Sequence, residues 1–448
     1  MASRKTIVLF IIFFGLLVYV YFFEIKGEKR NRAQKEKEEL VLNLDKEKVA
    51  GLSFLPQGIS IEKDGTLWKI LLPVQTHADH STIESILDAF SWLKKGRYVS
   101  DNPDDFKKFG LTPYQLALVI SQQEGISDTL FLGDTNLDST KVFYRNNGSN
   151  KVYLVSTTLK SNATKSLYDL RDKSVLKFKK QEISKISIKN NYRTFSCYKD
   201  KDQQWWLEHP IRTLCDDDKI DDILNELNNS KIASFESEYA NNLGIYDLHN
   251  PWLTISLLDS SEEHKPILYV GKKEKKEYYA KNDLRSAIFL IDSSLVAKLN
   301  VSLFDLRDKT MVSFEQDSVT EISIQYPDFI FHCIKDSTNR WIITQPDSGL
   351  AKSWKISSLL YDIKDLEVAQ FIDDLYQYKL NIFYGFDRPE IKLTLKKENI
   401  ILVDLLIGKQ VDNKLYVKNN LTNKIFLVKT KAKDDLLVKP EEFIDEDF

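Results

Sequence analysis

"WWLEHP", residues 205–210, decides how this chain is read, because the same tryptophan–proline pair recurs as "WKILLP" (Trp68, Pro73) and "WIITQP" (Trp341, Pro346). Trp68 and Trp205 are 137 residues apart, and Trp205 and Trp341 are 136 apart. Ten residues after each proline stands an isoleucine: Ile83, Ile220 and Ile356. From it an apolar stripe continues at helical spacing, as Ile86, Leu87, Phe90; as Ile223, Leu224, Leu227; and as Leu359, Leu360, Ile363. That spacing predicts one amphipathic helix, made three times. Asp79 and Asp216 stand before the first two helices at N-cap distance.

Other landmarks follow in the same order. "FGL" (Phe109–Leu111), "LGI" (Leu243–Ile245) and "YGF" (Tyr384–Phe386) read as one recurring loop. "LFLG", "LYVG" and "LLIG" read as strands that end at Gly133, Gly271 and Gly408. Two further strands recur as "VFYR", "YYAK", "LYVK" and as "VYLV", "IFLI", "IFLV"; "VAGLSF", "ISKISI" and "VTEISI" precede the tryptophans. Their period-two alternation is that of half-buried strands. Each repeat therefore reads as two strands, a helix, three strands and a short helix. The expected fold class is α+β: three tandem repeats, each an antiparallel sheet with a packed amphipathic helix. The expected boundaries are 41–177, 178–313 and 314–448.

"LYDLRDK" (167–173) and "LFDLRDK" (303–309) close the first two repeats, whereas the third closes on "EEFIDEDF" without that string. Arg171, Asp172, Arg307 and Asp308 are read as junction residues in preference to a binding site, since a guanidinium fork suits carboxylates and carbonyls where two sheets meet.

The N-terminus supplies a different signal. After a tail of residues 1–5, residues 6–23 form "TIVLFIIFFGLLVYVYFF" without a charge. Eighteen residues at ~1.5 Å rise nearly span a bilayer core of ~30 Å. No small-residue cleavage site follows, so an uncleaved single-pass transmembrane anchor is expected, with a charged stalk at 24–40. The stalk carries six basic residues and five glutamates. A simple count of bases would hold the body inside, but long domains translocate largely regardless of such charges. The expectation is a body outside the membrane.

Composition excludes several classes. The 448 residues carry a net charge of −3 with acids and bases interspersed, which offers no electrostatic footprint for nucleic acid. Three cysteines, Cys197, Cys215 and Cys333, form no CxxC pattern. Cys197 and Cys333 stand eight residues before the recurring tryptophan, where the first repeat has Ser60, and Cys215 matches Ala78 and Ala351. All three read as small packing residues. His77 and His80 have metal-like spacing, but Leu214 with Asp217 and Leu350 with Ser353 replace them in the other repeats. Asp216–Asp218 look like a calcium or magnesium cluster, but acids in a first helical turn are more often the complement of the helix dipole, and no EF-hand spacing follows. Trp68, Trp205 and Trp341 could stack on sugars, but a repeated strand position favours the core. No kinase, P-loop, serine-hydrolase or zincin motif is present. The expectation is no enzyme, with no catalytic, cofactor or metal residue to name.

"VYVYFFE", the W…P…Ala-Asp run, "FGLTP", "YR" with "YVK", "VYLV" and "LRDK" together resemble the bacterial domain-of-unknown-function 4340 family, over nearly the whole chain. The third repeat departs from it with Ala351–Lys352 and without "LRDK". The resemblance implies an inner-membrane protein with an extracytoplasmic body, associated with ABC-type transport systems. The expected partners are the membrane and a transporter permease or another envelope protein, with no cofactor. The alternative is an envelope ligand-binding or sensing protein that uses clefts between repeats.

Overall fold

The computed structural model describes Phe13, Phe14, Tyr19, Tyr21 and residues 39–42, 44–191, 193–261, 265–372 and 381–445. Most of the expected anchor (6–23) and stalk (24–40) lies outside the described residues. Among the described residues, no helix is long and apolar enough to cross a membrane.

Three antiparallel nine-stranded sheets make up the body. The first contains β1 (Val49–Leu55), β2 (Ile59–Asp64), β3 (Leu67–Leu72), β4 (Thr76–His77), β5 (Tyr98–Ser100), β6 (Leu116–Gln122), β7 (Ser127–Thr135), β8 (Lys141–Asn146) and β9 (Val152–Ser156). Their order is β4-β3-β2-β1-β6-β7-β8-β9-β5. Strands β10–β18, from Ile183 to Asp292, and β19–β27, from Glu321 to Lys429, repeat this order. By compactness the chain groups into two bodies. One comprises the chain to Phe178 with Leu227–Thr254 and Pro266–Val296; the other holds Lys179–Glu226, Ile255–Lys265 and Ala297–Phe448.

The long helices follow the tryptophan strands as predicted: α1 (His80–Ser91), α2 (Asp217–Asn229) and α3 (Ser353–Lys364). Their stripes, Ile83, Ile86, Leu87, Phe90 and their counterparts, are all buried. At ~1.5–3 kcal/mol for each large apolar side chain removed from water, those stripes hold the helices on their sheets far more firmly than helix propensity does. Asp79 accepts from the Thr82 amide at 2.8 Å and Asp216 from the Lys219 amide at 3.0 Å, so both cap their helices.

The reading of the sequence expected five strands per repeat. In the first repeat the additional ones are β2, β4, β5 and β6. β4 and β5 are two and three residues long, too short for alternation to register. The first three residues of β6 are all buried, so it does not begin with the alternation sought.

Gly133, Gly271 and Gly408 do not end strands. They lie inside β7, β16 (Ile267–Glu274) and β25 (Ile400–Val411), at the point where each loses register with its neighbour. A Cβ there would fall 2.0, 2.0 and 2.1 Å from the carbonyl oxygens of Phe109, Tyr246 and Tyr384. These carbonyls identify the recurring loop correctly. Its second copy is Tyr246–Leu248, not Leu243–Ile245. Gly110, Asp247 and Gly385 have φ of 68°, 55° and 79°. The next residues, Leu111, Leu248 and Phe386, are buried and donate to the carbonyls of Phe106, Leu243 and Asn381 at 2.8–2.9 Å. Asp tolerates the left-handed region, which hides the copy from a search for glycine.

Candidate functional site: the seams between repeats

Each heptapeptide opens with a capped turn of helix. Ser166 caps Leu167–Leu170 and Ser302 caps Leu303–Leu306, each through a reciprocal box with Asp169 or Asp305. The chain then lies along the start of its own repeat's long helix. Asp79 donates to the Leu170 carbonyl at 2.8 Å, and Asp172 donates to that of His77 at 3.0 Å. Asp216 and Asp308 do the same with Leu306 and Leu214, at 3.0 and 3.1 Å.

The side chains reach the other way, into the following repeat. Arg171 is 2% exposed, forms a fork with Glu238 at 2.6 and 3.0 Å, and lies 3.6 Å over the ring of Phe235 on β14 (Ser234–Ser237). Tyr168 donates to the Ile232 carbonyl at 2.8 Å. Arg307 is 4% exposed and lies 3.5 Å over Phe371 on β23 (Gln370–Ile372). The lysines close the turn. Lys173 donates to the carbonyls of Tyr168 and Asp169, while Lys309 pairs with Asp216 at 2.7 Å. Burial pushes the Asp172 carboxyl up. Hydrogen bonds from Ser174, with Arg285 and Lys177 nearby, outweigh it and hold the group below its ordinary value. These groups are spent on contacts within their own repeat and with the following one.

The third repeat lacks the string but keeps the segment. Pro440–Phe443 forms the same short helix, Lys352 donates to the Phe443 carbonyl at 2.8 Å, and Asp445 donates to that of Leu350 at 2.8 Å. Ile444 bridges to Ala351 as Arg171 does to Ala78 and Arg307 to Cys215. "EEFID" is thus the third copy, with isoleucine in the arginine position. It was hidden because closing its own repeat uses only backbone groups and one buried aromatic.

The other candidates fall in structural positions. Trp68, Trp205 and Trp341 are 1%, 2% and 6% exposed, beneath Lys63, Lys199 and Lys335 at 5.5, 5.3 and 5.1 Å from their rings. Cys197, Cys215 and Cys333 are buried and free. The counterpart of Cys197 and Cys333 in the first repeat is Ile61, not Ser60. Ile61 pairs with Ile70 as Cys197 pairs with Leu207 and Cys333 with Ile343. The first hairpin is one residue shorter, which shifted the count from the tryptophan. His77 and His80 are exposed at the end of β4 and the start of α1. Asp216 caps α2 while Asp217 accepts from Gln204 at 2.9 Å. Among the described residues, no group of three or more His, Cys, Asp or Glu could hold a metal ion.

One recurring polar residue escaped the reading of the sequence. Asn146, Asn282 and Asn419 end β8, β17 (Glu277–Asn282) and β26 (Lys414–Asn419). Each donates to the carbonyl of the segment entering its repeat: Val41 at 3.1 Å, Val175 at 2.8 Å and Met311 at 3.0 Å. The signal was available, because asparagine directly follows "VFYR", "YYAK" and "LYVK".

Three sheets of one topology, each closed by a short helical segment, define a tandem-repeat α+β protein. The chain belongs to the family described as a domain of unknown function, DUF4340, whose model matches residues 68–240, 205–382 and 383–448 as three tandem copies. No curated protein and no solved structure matches the chain.

Proposed function

We propose that the chain is a non-catalytic, membrane-anchored, extracytoplasmic accessory or scaffold subunit of an ABC-type transport system. The observation that carries this reading is the use made of its chemistry-bearing side chains. Arg171, Arg307, Asp216 and the asparagines 146, 282 and 419 are committed to capping, joining and closing repeats. An uncharged string at 6–23 supports the anchor, and three modules of one topology suit a surface on which other proteins assemble. The buried arginines at both seams favour this reading over a ligand-binding or sensing role in clefts between repeats. Crosslinking in cells, gentle solubilisation and purification of the intact protein tests it. Stoichiometric recovery of a permease or its ATPase is expected, and recovery of the protein alone overturns the proposal. A topology reporter fused after Phe448 that is active only in the cytoplasm overturns the extracytoplasmic placement.

A further inference from the structure

The repeats can be compared at the edge strand that receives the preceding seam. Phe235 on β14 pairs with Phe289, and Phe371 on β23 pairs with Phe426, with rings edge-to-face at 6.4 and 6.0 Å. In the first repeat the same place belongs to Tyr98 on β5, which pairs with Tyr153 edge-to-face at 5.9 Å. Three residues after Phe235 stands Glu238, which holds the fork of Arg171; three residues after Tyr98 stands Asp101. The first repeat thus has both halves of the receptor, the ring and the acid.

The cover differs. Phe235 and Phe371 are half-buried beneath Arg171 and Arg307, and each also touches a ring of the seam, Tyr168 at 6.4 Å and Phe304 at 5.8 Å. Tyr98 is 48% exposed, and among the described residues no arginine lies over it. Asp101, which accepts a hydrogen bond from the Tyr98 hydroxyl, and Asp104 nearby are both exposed, whereas Asp105 is taken by Lys108 and Ser100 at 2.7 Å each. Ahead of the first repeat, "NRAQKEKEEL" lacks the Leu-aromatic-Asp-Leu-Arg string.

We infer that the Tyr98–Asp101 edge is a docking site for an arginine-bearing segment of another protein, bound as the seam heptapeptide is bound inside the chain. The guanidinium lies over the Tyr98 ring and pairs with the Asp101 carboxylate, and an apolar or aromatic residue three positions earlier in the segment packs beside the ring. A second copy of this chain is a poorer occupant. The one closing segment not already engaged in this way carries Ile444 in the arginine position. The inference rests on the internal repeat and not on the transporter reading, so either can fail alone.

The probe is the chain's own seam, a fluorescein-labelled peptide of sequence SLYDLRDKS (166–174). It is titrated against the intact protein in detergent by anisotropy, up to about millimolar protein, the weak end of measurable affinity. The peptide is expected to bind, with about tenfold loss when its arginine is replaced by alanine, the sum of one cation–π contact and one ion pair. Asp101→Asn and Tyr98→Ala should cost the protein a similar factor, whereas Tyr98→Phe should bind normally, since phenylalanine stands there in the other repeats. Absent binding, equal affinity for the alanine peptide, or indifference to both Asp101→Asn and Tyr98→Ala overturns the inference. A dimer seen in sedimentation and lost in Tyr98→Ala assigns the edge to a second copy and also overturns it.

Discussion

The guanidinium of Arg171 lies 3.6 Å over the ring of Phe235 while it forks onto Glu238, so one side chain holds the edge segment of the next repeat at two residues at once. Arg307 stands over Phe371 in the same way. A residue so placed is expected to set the strength of its joint.

Arg171→Ala should lower stability to urea by about 3 kcal/mol, because it leaves the Glu238 carboxylate without its partner at a part-buried site. Arg171→Lys should recover less than half of that, since an ammonium can neither fork nor stack. The check is the shift of the unfolding transition. A loss no larger than that of an exposed surface arginine would show that the joint does not depend on Arg171.

Replacing Asn282 by alanine removes a donor to the buried Val175 carbonyl, which should cost about 1–2 kcal/mol. Asn282→Asp should be worse than alanine, because a carboxylate facing a carbonyl repels it. Asn419→Ala, which loses the bond to Met311, should behave alike. Denaturation of the three variants side by side tests the ranking.

Gly271→Ala forces a Cβ to within 2.0 Å of the Tyr246 carbonyl oxygen, so the loop must move. A cost of about 1–3 kcal/mol is expected, as for other overpacked sites. Gly148→Ala supplies the contrast. No atom lies within 4 Å of its Cβ, and only its φ of 72° opposes the change, at about 1–2 kcal/mol. Hydrogen exchange should show faster opening near Tyr246 in Gly271→Ala alone.

The Asp172 carboxyl is held below its unfolded value of 3.8, so its contribution is fully present above about pH 4. It is lost as pH falls through the depressed folded value. The wild-type protein should therefore lose more stability between pH 5 and pH 3 than Asp172→Asn, which has no proton to take up there. Urea midpoints at the two pH values check the sign; equal slopes would mean that Asp172 is not stabilised as a carboxylate.

Periodicity and internal repetition made much of this fold legible. The stripes from Ile83, Ile220 and Ile356 located the three long helices, because burial of one helix face imposes its spacing on the sequence. The α+β class followed from the alternating strands. Where counting replaced physics, the reading slipped. A count from the tryptophan puts Ser60 opposite the cysteines, where the shorter first hairpin places Ile61, and glycine marks Leu243–Ile245 although Asp247 takes the left-handed position.

The seams were half legible. "LRDK" marked their position, but not that the backbone of the segment serves its own repeat while the arginine serves the next. The sequence by itself determined the number of repeats, their helices and the uncharged string ahead of them, because such features depend on local spacing and composition. Only the tertiary structure decided that "EEFID" is the third closing segment, that Asn146, Asn282 and Asn419 hold incoming chains, and that among the described residues no arginine covers Tyr98 as Arg171 covers Phe235. Those relationships join residues far apart in the sequence, 67 positions for Arg171 with Glu238 and 107 for Asn282 with Val175, through side-chain forks, backbone carbonyls and ring faces, which carry no residue-specific pattern until the chain has folded.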